Sequence, residues 1–113
     1  MFSRAGHPVF VLDPDRDIVR YANRRACFLL GYDMDELLAL RVSEVFLAEG
    51  EAVGAFLDAI VKQGEGSTTT LGLRAKSGAP LPAELLAFRF SSDGQRYVLV
   101  LANTHGGGGG RPV

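Results

Sequence analysis

Asn23-Arg24-Arg25-Ala26-Cys27-Phe28-Leu29-Leu30-Gly31-Tyr32-Asp33-Met34-Asp35-Glu36-Leu37-Leu38 is the stretch that decides the fold of this chain. Asn23 is a natural N-cap for a short helix over Arg24 to Leu30, and Gly31 sits where a left-handed C-terminal stop is wanted. The pattern then restarts. Asp33 caps a second helix, and Glu36, three residues on, reaches back to the Asp33 amide, so the orphan amides of that helix start are satisfied reciprocally.

Upstream, Val9 to Leu12 is a short apolar run closed by Asp13-Pro14-Asp15, with Pro14 preset for the second position of a turn. Ile18 to Tyr21 reads as the returning strand, so a hairpin feeds directly into Asn23. Downstream, a third apolar patch, Val42 to Leu47, leads to a longer helix from about Glu49 to Gln63 that stops at Gly64. Val53, Phe56, Leu57 and Ile60 recur along it at helical spacing. Gly50 and Gly54 weaken that helix by roughly 1 kcal/mol each relative to alanine. From Ser67 the period changes to two, with Thr69, Leu71, Leu73 and Ala75 facing one way and Thr68, Thr70, Gly72, Arg74 and Lys76 the other. Ser77-Gly78 turns this half-buried strand. The next strand, Leu81 to Phe90, and the last, Tyr97 to Asn103, are joined through Asp93-Gly94, which gives an antiparallel meander of three strands.

A chain of 113 residues supports one core and not two. No apolar run approaches the ~20 residues of a membrane-spanning helix and no secretory signal opens the sequence, which points to a cytoplasmic protein without a membrane partner. Twelve Lys and Arg against thirteen Asp and Glu leave a net charge of −1, so direct nucleic-acid binding is not expected. Cys27, the single cysteine, excludes an intrachain disulfide and reads as a core thiol. His7 precedes the first strand and His105 follows the last, and both read as solvated side chains rather than metal ligands. Nothing pairs a nucleophile with a base or builds a phosphate loop, so the chain is not expected to be an enzyme.

The order strand, strand, short helices, longer helix, three strands resembles a PAS domain. The resemblance is carried by Val11-Leu12-Asp13-Pro14-Asp15, Tyr21-Ala22-Asn23, Leu30-Gly31-Tyr32-Asp33-Met34-Asp35-Glu36-Leu37-Leu38 and Lys76-Ser77-Gly78. It covers His7 to Thr104, leaving residues 1–6 as an amino-terminal extension and 105–113, with glycine alone from Gly106 to Gly110, as a flexible tail. It implies an α+β fold: a five-stranded antiparallel sheet in the order 2-1-5-4-3, with short helices and one longer helix on one face and a small-molecule cavity between them. It also implies a salt bridge between Glu36 and Lys76 across the mouth of that cavity.

Function within this family has to be argued from the site, because one fold serves many ligands. The flavin-binding light-oxygen-voltage branch carries a reactive cysteine in an Asn-Cys-Arg motif soon after the second helix, where this chain reads Arg41-Val42-Ser43-Glu44. Its inward strand positions, Leu71, Leu73, Ala83, Leu85, Val98 and Val100, offer no polar group to a flavin edge. The haem-binding branch takes its axial histidine from the long helix, and Glu49 to Gln63 holds no histidine, methionine, cysteine or tyrosine. No cofactor is therefore expected.

What remains is an apolar interior. Phe10 and Leu12 from the first strand, Phe28 and Phe46 from the helical region, and Phe56, Leu57 and Ile60 from the long helix are expected to face Leu73, Ala83, Leu85, Ala87, Val98 and Val100. Most of these are core; the small side chains of Ala83 and Ala87 leave room for a small apolar or aromatic ligand. On the other side of the sheet, Leu86, Phe88 and Phe90 alternate outward, joined by Tyr97, Leu99 and Leu101, where a solvated face should be polar. A homodimer through this outer face is the expected partner arrangement. The expected function is a sensory or regulatory module that binds such a ligand and signals through its dimer contacts. The alternative is a ligand-free module mediating dimerisation or protein association in a transcription regulator or two-component sensor kinase. The end of the last strand, Leu101-Ala102-Asn103-Thr104, keeps only Thr104 of the Asp-Ile-Thr triplet with which many sensor PAS domains lead into a helical coupler.

Overall fold

The computed structural model describes residues 7–104; the extension expected at 1–6 and the tail expected at 105–113, His105 included, lie outside the described residues. Strands β1 (Val9–Asp13) and β2 (Ile18–Ala22) form the opening hairpin. Its turn is organised by Asp13, whose Oδ1 accepts from the Asp15 and Arg16 amides at 3.1 Å each. Arg16 Nη1 donates to Oδ2 at 3.0 Å. Asp13 is fully buried, and this set of donors is what a buried carboxylate requires.

Asn23 caps α1 (Arg24–Leu30), its Oδ1 accepting from the Ala26 amide at 2.9 Å. The same oxygen accepts from the Val9 amide at 3.1 Å, and Nδ2 donates to the His7 carbonyl at 2.8 Å. One asparagine thus starts a helix and ties it to the first strand. Gly31 ends the helix at φ +86°, a left-handed conformation that any Cβ would strain, with its amide on the Cys27 carbonyl. Asp33 and Glu36 close a capping box on α2 (Met34–Leu38), with both reciprocal bonds at 3.0 Å. The apolar patch that follows is a further short helix, α3 (Val42–Val45), and α4 (Gly50–Gln63) is the long one.

Five strands make the main sheet in the order β2-β1-β7-β6-β3, where β3 is Glu65–Thr68, β6 is Glu84–Ser92 and β7 is Gln95–Asn103. Spatially this is the expected 2-1-5-4-3 arrangement. One expectation fails in detail: the alternating run from Ser67 to Lys76 is not one strand. It breaks after Thr68, and Leu73–Arg74 (β4) leaves the sheet to pair with Pro80–Leu81 (β5) as a separate ribbon. The cause is competition for the backbone. Thr68 Oγ1 accepts from the Thr70 amide, Gly72 turns at φ +62°, and the Leu71 and Gly72 carbonyls accept from Ala48 and Leu47. Leu71, Gly72 and Leu73 are buried in succession, which a strand alternating between two faces does not allow. The expected fourth strand from Leu81 is likewise divided, Pro82 and Ala83 separating β5 from β6.

The core lies between the helices and the inner sheet face. Across the sheet Phe10 pairs with Val100, Val100 with Ala87 and Ala87 with Gly66, so side-chain volume falls steadily toward β3. Helix α4 fills the low side: an ideal Cβ placed on Gly66 would stand 2.7 Å from Ile60 Cδ1. Ile60 therefore nests against Gly66, the smallest residue of the row.

Candidate functional site

Most residues expected to line a cavity meet in one buried cluster. Phe10, Leu12, Phe46, Ile60, Leu73 and Leu85 are fully or almost fully buried, together with Leu57, Ala83, Ala87, Val98 and Val100. Phe56 is half-buried and packs against the cluster's edge. Phe28 is the correction: it is 80% exposed and lies outside the core. Helix α1 buries Ala26, Cys27 and Leu30, a stripe at i, i+1 and i+4 that turns Phe28 to solvent. That stripe was readable from helical spacing, but counting Phe28 with its apolar neighbours hides it.

Cys27 stands inside this region with its Sγ 3.9 Å from Met34 Sδ. Burial, and then the Asp33 charge, pushes its thiol above the usual range, which keeps it protonated and a weak nucleophile. At the edge of the core Lys76 Nζ donates to Glu36 Oε2 at 2.7 Å. Hydrogen bonds from Lys76 and from the Asp33 amide hold the Glu36 carboxyl below its ordinary range, and Glu36 in turn raises Lys76. Glu36 closes the α2 capping box with one oxygen and meets Lys76 with the other. The Lys76 amide adds a backbone tie to the Leu30 carbonyl at 2.8 Å, so the two capped helices are joined to the ribbon hairpin at two points.

Clefts open away from the interior. One of about 530 Å³ runs between the β1–β2 turn and α4, over Val42, Val53, Gly54 and Leu57. Its rim carries Asp15 with Arg96 at 3.2 Å and Asp58 with Lys62 at 3.2 Å. Two shallower ones flank Phe28.

The outer sheet face carries the expected side chains and three more. Tyr21 pairs with Val11, Val11 with Leu99 and Leu99 with Phe88, which sets an apolar row across four strands. Val9, Leu101 and Leu86 form a second, parallel row. At the end of the β6–β7 hairpin Phe90 and Tyr97 stack with ring centroids 5.4 Å apart. Leu86, Phe88 and Phe90 are each 37–39% exposed, whereas Leu85 and Ala87 beside them on the inner face are fully buried. Val9, Val11 and Tyr21 escaped the sequence reading, although the alternation of Val9 and Val11 against Phe10 and Leu12 already assigns the first two to this face.

A family profile described as the PAS domain matches residues 6–105. This chain belongs to the PAS domain family. No curated protein sequence matches it. Among solved structures it is similar to the PAS domain of an HTR-like protein from Haloarcula marismortui, at 24% identity and a TM-score of 0.78, over 91% of this chain and 84% of that one. A PAS domain from a two-component sensor histidine kinase gives 17% identity and a TM-score of 0.74, over 87% and 84%. A LOV protein from Rhodobacter sphaeroides gives 18% identity and a TM-score of 0.74, over 96% of this chain and 64% of that one. At these identities the likeness is one of fold, and the LOV match brings no flavin with it.

In this PAS domain Leu71, Leu73, Ala83, Leu85, Val98 and Val100 are all buried apolar side chains. Those six present no hydrogen-bonding partner for an isoalloxazine edge. Helix α4 carries no histidine, methionine, cysteine or tyrosine. Among the described residues no helix is long and apolar enough to cross a membrane.

Proposed function

We propose that this PAS domain is a non-catalytic sensory or regulatory module of a cytoplasmic signal-transduction protein, and that it works by pairing its outer sheet face with a second copy of itself. One observation carries the reading: the row Tyr21–Val11–Leu99–Phe88, flanked by the Val9–Leu101–Leu86 row, is a contiguous apolar surface on the side of the sheet away from the helices. A two-fold axis near Phe88 sets such a surface against itself and removes it from water. Similarity to the PAS domain of a two-component sensor histidine kinase supports the signalling context. Size-exclusion chromatography with light scattering tests the reading. A dimer at micromolar concentration that Phe88→Glu converts to a folded monomer is the expected result. A strict monomer in the parent protein, or a dimer that tolerates a charge at position 88, refutes it.

Sensing through a small apolar or aromatic ligand is the second reading, and its support is the small inward side chain of buried Ala83. Ala87 pairs with Gly66, and it is against Gly66 that Ile60 sits. Native mass spectrometry of freshly purified protein checks it. Persistent retention of a small molecule, lost in Ala83→Leu, supports ligand sensing; no adduct, with Ala83→Leu destabilised as an overpacked core position, dismisses it.

A further inference from the structure

The cleft of about 530 Å³ between the β1–β2 turn and α4 combines two kinds of surface. Its floor is apolar, from Val42 on α3 and from Val53, Leu57 and Val61 on α4. Its walls are polar, and most of their charge is already compensated: Asp15 meets Arg96 and Asp58 meets Lys62, each at 3.2 Å. Asp17 is the exception. It lines the cleft, is exposed, and among the described residues its carboxylate forms no hydrogen bond or ion pair. The Ser43 hydroxyl, also in the lining, forms no hydrogen bond among those residues either. Gly54 adds an independent sign that the space has an occupant. It faces the cleft from the interior of α4, where glycine is a poorer helix former than any residue but proline. The chain itself does not call for glycine there: a Cβ would meet no atom within 4 Å, and the backbone is not left-handed. A bare backbone at that point lets a ligand approach the helix closely.

We propose that this cleft binds a small organic cation, a primary amine carrying an apolar or aromatic body. The ammonium pairs with the Asp17 carboxylate and donates to Ser43 Oγ, while the body lies on Val42, Val53 and Leu57 against the backbone of Gly54. Charge selects this class. The two wall pairs cancel, so the cleft as a whole carries the single negative charge of Asp17 and disfavours a carboxylate or a phosphate. Size agrees, since small-molecule sites span ~300–1,000 Å³. The Asp17 carbonyl accepts from the Val42 amide at 3.3 Å, which holds the carboxylate beside the apolar floor. A ligand seated there bridges the hairpin turn, α3 and α4. The lining includes neither the outer sheet face nor Ala83, so this inference stands or falls independently of both functional readings.

The test is an amide chemical-shift titration of the purified chain with phenethylamine at low salt, beside the same titration with hydrocinnamate. Saturable shifts centred on Asp17, Ser43 and Gly54 are expected with the amine, weakened by added salt, and none with the carboxylate. Asp17→Asn keeps a residue that tolerates the left-handed backbone at φ +60° and should weaken amine binding by about three- to fivefold, the worth of one exposed ion pair. Gly54→Leu fills the floor from an open helix position. It should weaken binding by at least about tenfold while its thermal midpoint stays no lower than the parent's. Absence of saturable shifts up to tens of millimolar amine overturns the proposal, as does equal binding of hydrocinnamate. Unchanged binding in both variants overturns it too. Shifts centred on Ala83 and its core neighbours overturn it in favour of the interior, and tighter binding of a lysine-bearing peptide at the same residues overturns it in favour of a protein partner.

Discussion

Replacing Gly66 with alanine measures how closely α4 is seated on the sheet. The new Cβ would stand 2.7 Å from Ile60 Cδ1, against the ~3.5–4.0 Å of an ordinary carbon contact. About 1 Å of overlap must be relieved by moving Ile60, which is only 2% exposed and enclosed by core neighbours. Overpacking of this kind costs about 1–3 kcal/mol. The obstructing atom is the end of a side chain rather than backbone, which places the cost near 1–2 kcal/mol by that scale. Lower unfolded-state entropy offsets roughly 0.4–1 kcal/mol of it. The net loss is then about 1 kcal/mol, a fall in Tm of roughly 4 °C for a domain of this size. Ile60→Val removes the obstructing methyl and by itself costs about 0.5–1.5 kcal/mol. In the double variant the alanine methyl occupies the space Cδ1 vacated, so the two losses should sum to at least about 0.5 kcal/mol less than their separate values. Urea denaturation of the four proteins, at equal m values, measures this coupling. Strict additivity, or a Gly66→Ala protein as stable as the parent, refutes the nesting of Ile60.

Gly54→Ala should act in the opposite direction: its Cβ meets nothing within 4 Å, so only helix propensity counts, and stability should rise by about 1 kcal/mol. A lower thermal midpoint would show that a partner atom closely approaches that face. Asp13 governs part of the acid limb of the stability curve. Burial works to raise its pKa, but hydrogen bonds from the Arg16 and Asp15 amides and the Arg16 guanidinium outweigh it and hold the carboxyl below its ordinary value of 3.8. A carboxyl depressed in the folded state stabilises the protein above its unfolded pKa and loses that contribution as pH falls through the folded value. Asp13→Asn keeps an oxygen for the amides and removes the charge. It should therefore lower stability at pH 7, with the gap to the parent narrowing toward pH 2–3 in urea midpoints; a gap independent of pH contradicts this account.

Sequence and structure agree most closely where the physics is local. The α2 capping box spans Asp33 to Glu36, and both of its bonds form between residues three apart, so the sequence contains every participant. The α1 stop at Gly31 and the β6–β7 turn at Asp93-Gly94 are local in the same sense, because each depends on a backbone conformation that its own residues favour. Agreement ends where one segment has two partners to choose from. Residues 67–76 have strand alternation, yet Leu71 and Gly72 bond to Ala48 and Leu47, more than twenty positions earlier, and the strand divides. Asn23 was legible as a cap for α1, but its bonds to Val9 and His7 exist only because β1 returns beside it.

The candidate sites divide in the same way. Alternation along β6 and β7 placed Leu86, Phe88, Phe90, Tyr97, Leu99 and Leu101 on the outer face, since side chains in a strand alternate whatever lies beyond it. Register between strands sets Tyr21, Val11, Leu99 and Phe88 in one row, and register is fixed by pairing between distant segments. The seating of Ile60 on Gly66 is tertiary as well, for such a contact belongs to the packed assembly of helices and sheet. By itself the sequence determined the element order, the caps, the turns and the two faces of each long strand, because these follow from bonds and periodicities spanning a few residues. Only the tertiary structure decided what seats against Gly66, where the meander breaks and how the outer rows line up across the sheet, because each depends on what the chain brings back from far away.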